Sequence, residues 1–186
     1  MSALKIARLG NPILRQIAKP VDLQALADPN SEMQTFIDAM TVVMREEEGV
    51  GLAAPQVSRS LQIIVIESLD NKRYGNRPDI PLAVFINPVI TRYGKEQVLG
   101  WESCLSLADF RGLVPRSREV TVEACNRWGE KQVIEAEGFF AVVLQHEIDH
   151  LNGLVFLDRM TDLTKLAYQE EFETYWVEEA KQATEV

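Results

Sequence analysis

The sequence predicts an α+β fold, with short antiparallel strands packed around a central helix that carries His146-Glu147-Ile148-Asp149-His150 and an additional C-terminal helix. Three observations lead there. Helical and strand-like periodicities occupy separate stretches, which argues against a parallel βαβ sheet. The strand-like runs are short, β-branched and bounded by turn residues. Residues 138–151 are almost wholly apolar up to the histidines, as in a helix buried on most sides.

Asn11 as N-cap and Pro12 at the first helical position predict a short helix over residues 11–17. Asp28-Pro29-Asn30 is a turn. Ser31 and Gln34 have capping-box spacing, and Met33, Phe36, Ile37, Met40, Val43 and Met44 recur at helical intervals. Residues 31–48 are therefore an amphipathic helix, with Gly49 its natural C-terminal stop. Glu46, Glu47 and Glu48 sit where the helix dipole disfavours anions, and the pattern does not explain them.

Residues 61–67 and 82–87 read as strands, with 71–81 a loop between them. Residues 119–126 alternate and turn back at Trp128-Gly129, and 131–137 form the hairpin partner. Asn152-Gly153 ends the histidine helix. Residues 161–183 form a last helix, with Leu163, Leu166, Phe172, Tyr175 and Trp176 facing the body.

The length of 186 residues fits one domain over 1–186. Hydrophobic residues make up 46% and charged residues 25%, ordinary for a globular protein. No apolar run approaches the ~18 residues of a membrane span. The N-terminal residues lack a secretory pattern, so the expected location is cytoplasmic; an organelle form with its transit peptide removed also fits. A net charge of −9 argues against direct nucleic-acid binding. Cys104 and Cys125 form no disulfide scaffold.

The chain has 2 histidines, and both lie in the one pentapeptide. At i and i+4 on a helix they stand on one face and can reach one divalent cation, with Glu147 as a base for water. The competing reading is two satisfied core histidines, but an apolar helix offers few polar partners for two buried imidazoles. Asp149 is a candidate outer partner for a ligating histidine. A catalytic site needs a third protein ligand, and two kinds are available: a carboxylate of the last helix, Glu170, Glu171 or Glu173, or Cys104 in Trp101-Glu102-Ser103-Cys104-Leu105-Ser106. Cys125 alternates with apolar strand residues and reads as a buried thiol. Gly49-Val50-Gly51-Leu52-Ala53-Ala54-Pro55-Gln56 is too interrupted for a dinucleotide fingerprint. It allows close backbone approach, and the Gln56 amide can donate to an oxyanion; alone, the segment reads as a tight turn.

Taken together and in order, Gly49 to Gln56, Glu102 to Ser106 and Gln145 to Gly153 resemble the motifs of the peptide deformylases, as does the opening Gly10 to Val21. The resemblance runs from Leu9 to Met160. It implies a metal-dependent hydrolase that removes the N-formyl group from the formylmethionine of nascent polypeptides and releases formate. It assigns Cys104, His146 and His150 to the metal, Fe2+ in the active form, with Zn2+ or Ni2+ accepted. Glu147 would move the proton from water to the leaving amine, and the Gln56 amide and Leu105 N–H would meet the oxyanion. Val50, Phe139, Val142 and Val143 would line the methionine pocket, and Gly51 would pair with the peptide backbone. The implied partners are nascent formylated peptides near the ribosome, although the acidic last helix is no RNA-docking surface. Ser103 stands where the family usually has glycine, and Leu107-Ala108-Asp109-Phe110-Arg111 replaces a more usual proline-containing stretch, so a different side-chain preference is expected at that border. The rival readings are a zinc peptidase whose third ligand is a C-terminal glutamate, and a domain in which the metal only staples the fold.

Overall fold

The computed structural model describes residues 4–69 and 79–183. Asn11 caps a 3-10 turn at Pro12–Arg15, shorter than the expected helix. Helix α1 spans Glu32–Glu46, with Ser31 Oγ accepting the Gln34 N–H at 3.3 Å. The helix ends at Glu46, two residues before the expected end at 48. Glu48, not Gly49, takes the left-handed conformation, at φ 54°, and the Gly49 N–H returns to the Met44 carbonyl at 2.8 Å. A Cβ at Gly49 would lie 2.9 Å from Leu105 Cδ1, so that side chain would have to shift to admit one.

The strands are β1 (Gly51–Ala53), β2 (Ile63–Ser68), β3 (Ile80–Tyr93), β4 (Gln97–Glu102), β5 (Phe110–Ser117), β6 (Glu119–Cys125), β7 (Lys131–Glu137) and β8 (Leu166–Tyr168). They form two antiparallel sheets, ordered β1-β2-β3-β6-β7 and β4-β5-β8. Helix α2 (Gly138–Leu151) packs on one face of the larger sheet and α1 on the other. Ile64 and Ile66 of β2 meet Leu144, Ile148 and Leu151, whereas Ile63 and Val65 meet Ile37, Met40 and Met44. A strand buried on both faces has no polar side to show, hence the unbroken apolar run at 63–66. Cys125 is a buried thiol in the α1 cluster, as expected.

Strand β3 outruns the expected 82–87 by continuing through Asn87-Pro88. Its register on β6 shifts between Ile86 and Val89, a bulge that admits proline into the strand. The expected loop at 71–81 lies largely outside the described residues, and Ile80 and Pro81 already belong to β3. The 119–126/131–137 hairpin forms in full, from Glu119↔Glu137 to Cys125↔Lys131.

The single last helix is corrected. Residues 163–183 fold as a 3-10 turn (Leu163–Lys165), β8, α3 (Gln169–Tyr175) and α4 (Val177–Ala183). β8 pairs with β5 through Phe110↔Tyr168 and Gly112↔Leu166, and backbone pairing to that sheet overrides helical periodicity. Leu163 and Tyr175 are exposed, whereas Leu166, Phe172 and Trp176 pack inward.

Candidate metal centre and its cavity

Helix α2 presents His146 and His150 one turn apart, with ring centroids 5.0 Å from each other. Cys104 enters from the segment that follows β4, at the cap of the 3-10 turn Leu105–Leu107. Its Sγ is 3.2 Å from His150 Nε2, and one donor atom each of Cys104, His146 and His150 lie within 4.8 Å of one another, all buried. Bonds of about 2.0–2.3 Å to one tetrahedral cation require donors this close. Glu170, Glu171 and Glu173 are exposed on α3, and among the described residues the only donor set of this kind takes Cys104 as its third member.

A carboxylate that had not been singled out orients the first histidine. His146 Nδ1 lies 2.7 Å from Glu102 Oε2, which leaves Nε2 free to bind a cation. Arg116 holds Glu102 through Nε–Oε1 (2.7 Å) and Nη2–Oε2 (3.1 Å), and donates from Nη1 to Asp149 Oδ2 at 2.6 Å. Asp149 is not the histidine partner expected of it; it takes Arg116 and Arg159 instead. Helix neighbours in sequence do not share a face, so Asp149 points away from its neighbour His150. The available signal for Glu102 was its place two residues before the cysteine; Arg116 had no signal, because only folding brings β5 against α2.

The charges follow from this packing. Burial alone would raise Glu102, but the His146 hydrogen bond and the Arg116 guanidinium outweigh it and hold the carboxyl at about 2. Burial would lower His146, yet Cys104 and Glu102 hold it well above its usual value. Burial and the neighbouring His146 push His150 well below.

Burial pushes Glu147 up to about 7, with His146 opposing. Its Oε2 is buried with no hydrogen-bond partner among the described residues, and its carboxylate packs on Gly51, where an added Cβ would lie 2.4 Å from Oε1. An orphaned buried oxygen beside three donors suits a cation site that brings its own water. Gln56 is fixed by its neighbour: Oε1 accepts the Ala53 N–H at 2.8 Å, which turns Nε2 toward Cys104 Sγ (3.4 Å) and Ser106 Oγ (3.3 Å). Leu105 opens the 3-10 turn, where an N–H has no acceptor within the turn.

These groups open on a cavity of about 440 Å³. Val50, Gly51, Gln56, Leu105, Phe139, Val142, Val143, His146 and Glu147 all line it, so the expected pocket residues come together. Ser103 and Ala108 line it too, and Ser103 is half-buried. The cavity is bordered by β1 and β4, each the edge strand of its sheet.

Three soft and borderline donors, a buried carboxylate oxygen with no partner among the described residues and an adjoining cavity suit hydrolysis by a cation-activated water, so fold and site together define a metal-dependent hydrolase. Comparison narrows the class. Residues 3–166 match the family model described as Polypeptide deformylase. Peptide deformylase 1 of Bordetella pertussis is 41% identical over 165 residues, 89% of this chain and 92% of that protein. Peptide deformylase 2 of a Nostoc species is 38% identical over 170 residues, 91% of this chain and 93% of that protein. A class I type b peptide deformylase from Acinetobacter baumannii, solved with Met-Ala-Ser bound, superposes with a TM-score of 0.81 at 41% identity, covering 86% of this chain and 100% of that one. One from Synechococcus elongatus, solved with actinonin, gives 0.75 at 33% identity, covering 99% and 91%. The chain belongs to the peptide deformylase family, metal-dependent hydrolases that remove the N-formyl group from nascent polypeptides.

Proposed function

We propose that Cys104, His146 and His150 hold Fe2+, that Glu147 is the general acid–base, and that Gln56 and Leu105 meet the oxyanion formed from a formylmethionyl peptide. The unpartnered Oε2 of Glu147 carries this reading. A divalent cation held by the three donors would supply Lewis-acid charge and lower the pKa of water to about 7. Glu147 accepts the proton of the attacking water. As oxygen bonds to the formyl carbon, the Gln56 Nε2–H and the Leu105 N–H stabilise the charge on the formyl oxygen. The C–N bond then breaks, Glu147 gives its proton to the amine nitrogen, and formate leaves.

Val50, Phe139, Val142 and Val143 supply an apolar lining for the methionine side chain, and the free edge of β1 at Gly51 supports pairing with an extended peptide. The substrate would be met as it leaves the ribosome, in a bacterial-type cytoplasm; no helix among the described residues is long and apolar enough to cross a membrane. Thiolate and imidazole donors also suit Zn2+ and Ni2+. Iron beside a thiolate predicts loss of activity in air for the Fe2+ form and none for the Ni2+ form; equal decay of both would refute iron-linked oxidation.

The test is formate release from formyl-Met-Ala-Ser by protein prepared without oxygen, with Glu147→Gln alongside. Release by the wild type and almost none by a fully metallated variant is expected. A Glu147→Gln protein that retains full activity would overturn the assignment.

A further inference from the structure

The family match ends at residue 166, yet the chain goes on through α3 and α4, and both helices close on one side chain. The Trp101 ring lies 4.9 Å from that of Phe172 in α3 and 5.7 Å from that of Trp176, which joins α3 to α4. Lys165 Nζ sits 3.9 Å over the Trp176 ring and pairs with Glu179 Oε1 at 2.9 Å, tying α4 back to the turn before β8. Arg111 of β5 lies over the Phe172 ring, 6.0 Å from its centroid.

Trp101 belongs to β4, an edge strand held by β5 alone, through Trp101↔Leu113 among other pairs. Val98, Leu99, Gly100, Trp101 and Glu102 of β4 border the same cavity as Gly51 of β1 and the preceding Val50. Side chains alternate along a strand, so Trp101 and Glu102 leave β4 on opposite faces. Glu102 goes to Arg116 and His146, and Trp101 goes to the C-terminal helices. A strand with one neighbour is otherwise free to shift at its open edge.

We infer that Trp101 is a positioning residue. Gripped by Phe172 and Trp176, it fixes β4 as the cavity wall for peptide residues beyond formylmethionine, so the C-terminal helices set peptide affinity without touching the reacting atoms. This rests on the reading of the cavity as the peptide site. A wall that must be ordered during binding weakens affinity by the fraction of molecules already competent. Phe139, Val142 and Val143 belong to α2 rather than to that wall, and Glu102 is held separately by two bonds from Arg116 of β5, so a substrate that ends at formylmethionine does not feel the change.

The test compares Trp176→Ala, Trp176→Phe and the milder Phe172→Leu with wild type, all metal-loaded, on formyl-Met-Ala-Ser and on formylmethionine amide. In Trp176→Ala the KM for the tripeptide should rise about three- to tenfold with kcat unchanged. The KM for formylmethionine amide should stay put, Trp176→Phe should recover most of the loss, and Phe172→Leu should give the same split at smaller size. An equal change on both substrates, a fall in kcat at constant KM, or an unmoved tripeptide KM in the folded variants overturns the inference. If even the wild type releases no formate, the reading of the site fails separately. Equilibrium binding of Met-Ala-Ser to the same variants then decides the role of the wall, with unchanged affinity refuting it.

Discussion

Gly51→Ala tests the catalytic geometry without touching a metal ligand. Gly51 does not have a positive φ, so the backbone accepts alanine. The new Cβ would lie 2.4 Å from Glu147 Oε1, 2.7 Å from Cδ and 2.8 Å from Cγ. Ordinary contact begins at 3.4 Å, and three atoms of the side chain fall inside that limit, so turning the carboxylate alone gives no relief. The carboxylate must retreat by about 1 Å, and displacement of a reacting group on that scale costs about 10²-fold in rate. The three atoms nearest the new Cβ all belong to Glu147 and none to Cys104, His146 or His150, so metal content should stay stoichiometric. Coupled formate detection gives kcat, elemental analysis gives metal content and a thermal melt checks the fold. A kcat close to that of the wild type, in a folded and fully metallated variant, would refute the claim that close packing on Gly51 places Glu147.

Cys104→Ala should lose tight metal binding while Glu170→Ala keeps it, as read by chelator competition; the reverse would restore the peptidase arrangement. Gln56→Ala should lower kcat by about 10²–10³ with metal retained, and a change confined to KM would remove Gln56 from the oxyanion site. Acid stability should depend on Glu102. Its folded pKa of about 2 lies below the ordinary 4.5, so its contribution is complete above pH 4.5 and disappears as pH falls toward 2. The gap corresponds to about 3 kcal/mol. The stability difference between wild type and Glu102→Gln, measured by denaturant titration, should therefore shrink as pH falls across that window; a difference independent of pH would contradict it.

The elements that were legible in the sequence are those whose signal is local. Ser31 with its apolar stripe, the 119–137 hairpin and the helix ending at Asn152-Gly153 carry their own caps, turns and periods, and each forms where expected. The two histidines carry a spacing that has meaning only on a helix, and the helix is there. Strands β1, β4 and β5 were not legible. β1 is 3 residues long, and β5 contains Gly112, Pro115 and two buried arginines, so neither composition nor alternation marks a strand.

The last segment shows the same limit from the other side. Residues 161–183 have a helical period, yet β8 is drawn out of it by the open edge of β5, a partner more than 50 residues earlier in the chain. By itself the sequence determined the local helices and turns, the histidine pair and the order of motifs that marks the family. Only the tertiary structure decided that Cys104 and the two histidines bring one donor atom each within 4.8 Å of one another, that Glu102 and not Asp149 steadies His146, and that Gly51 makes room for Glu147. Those three facts are distances between separate elements, and a distance across a core is set by packing that no single segment encodes.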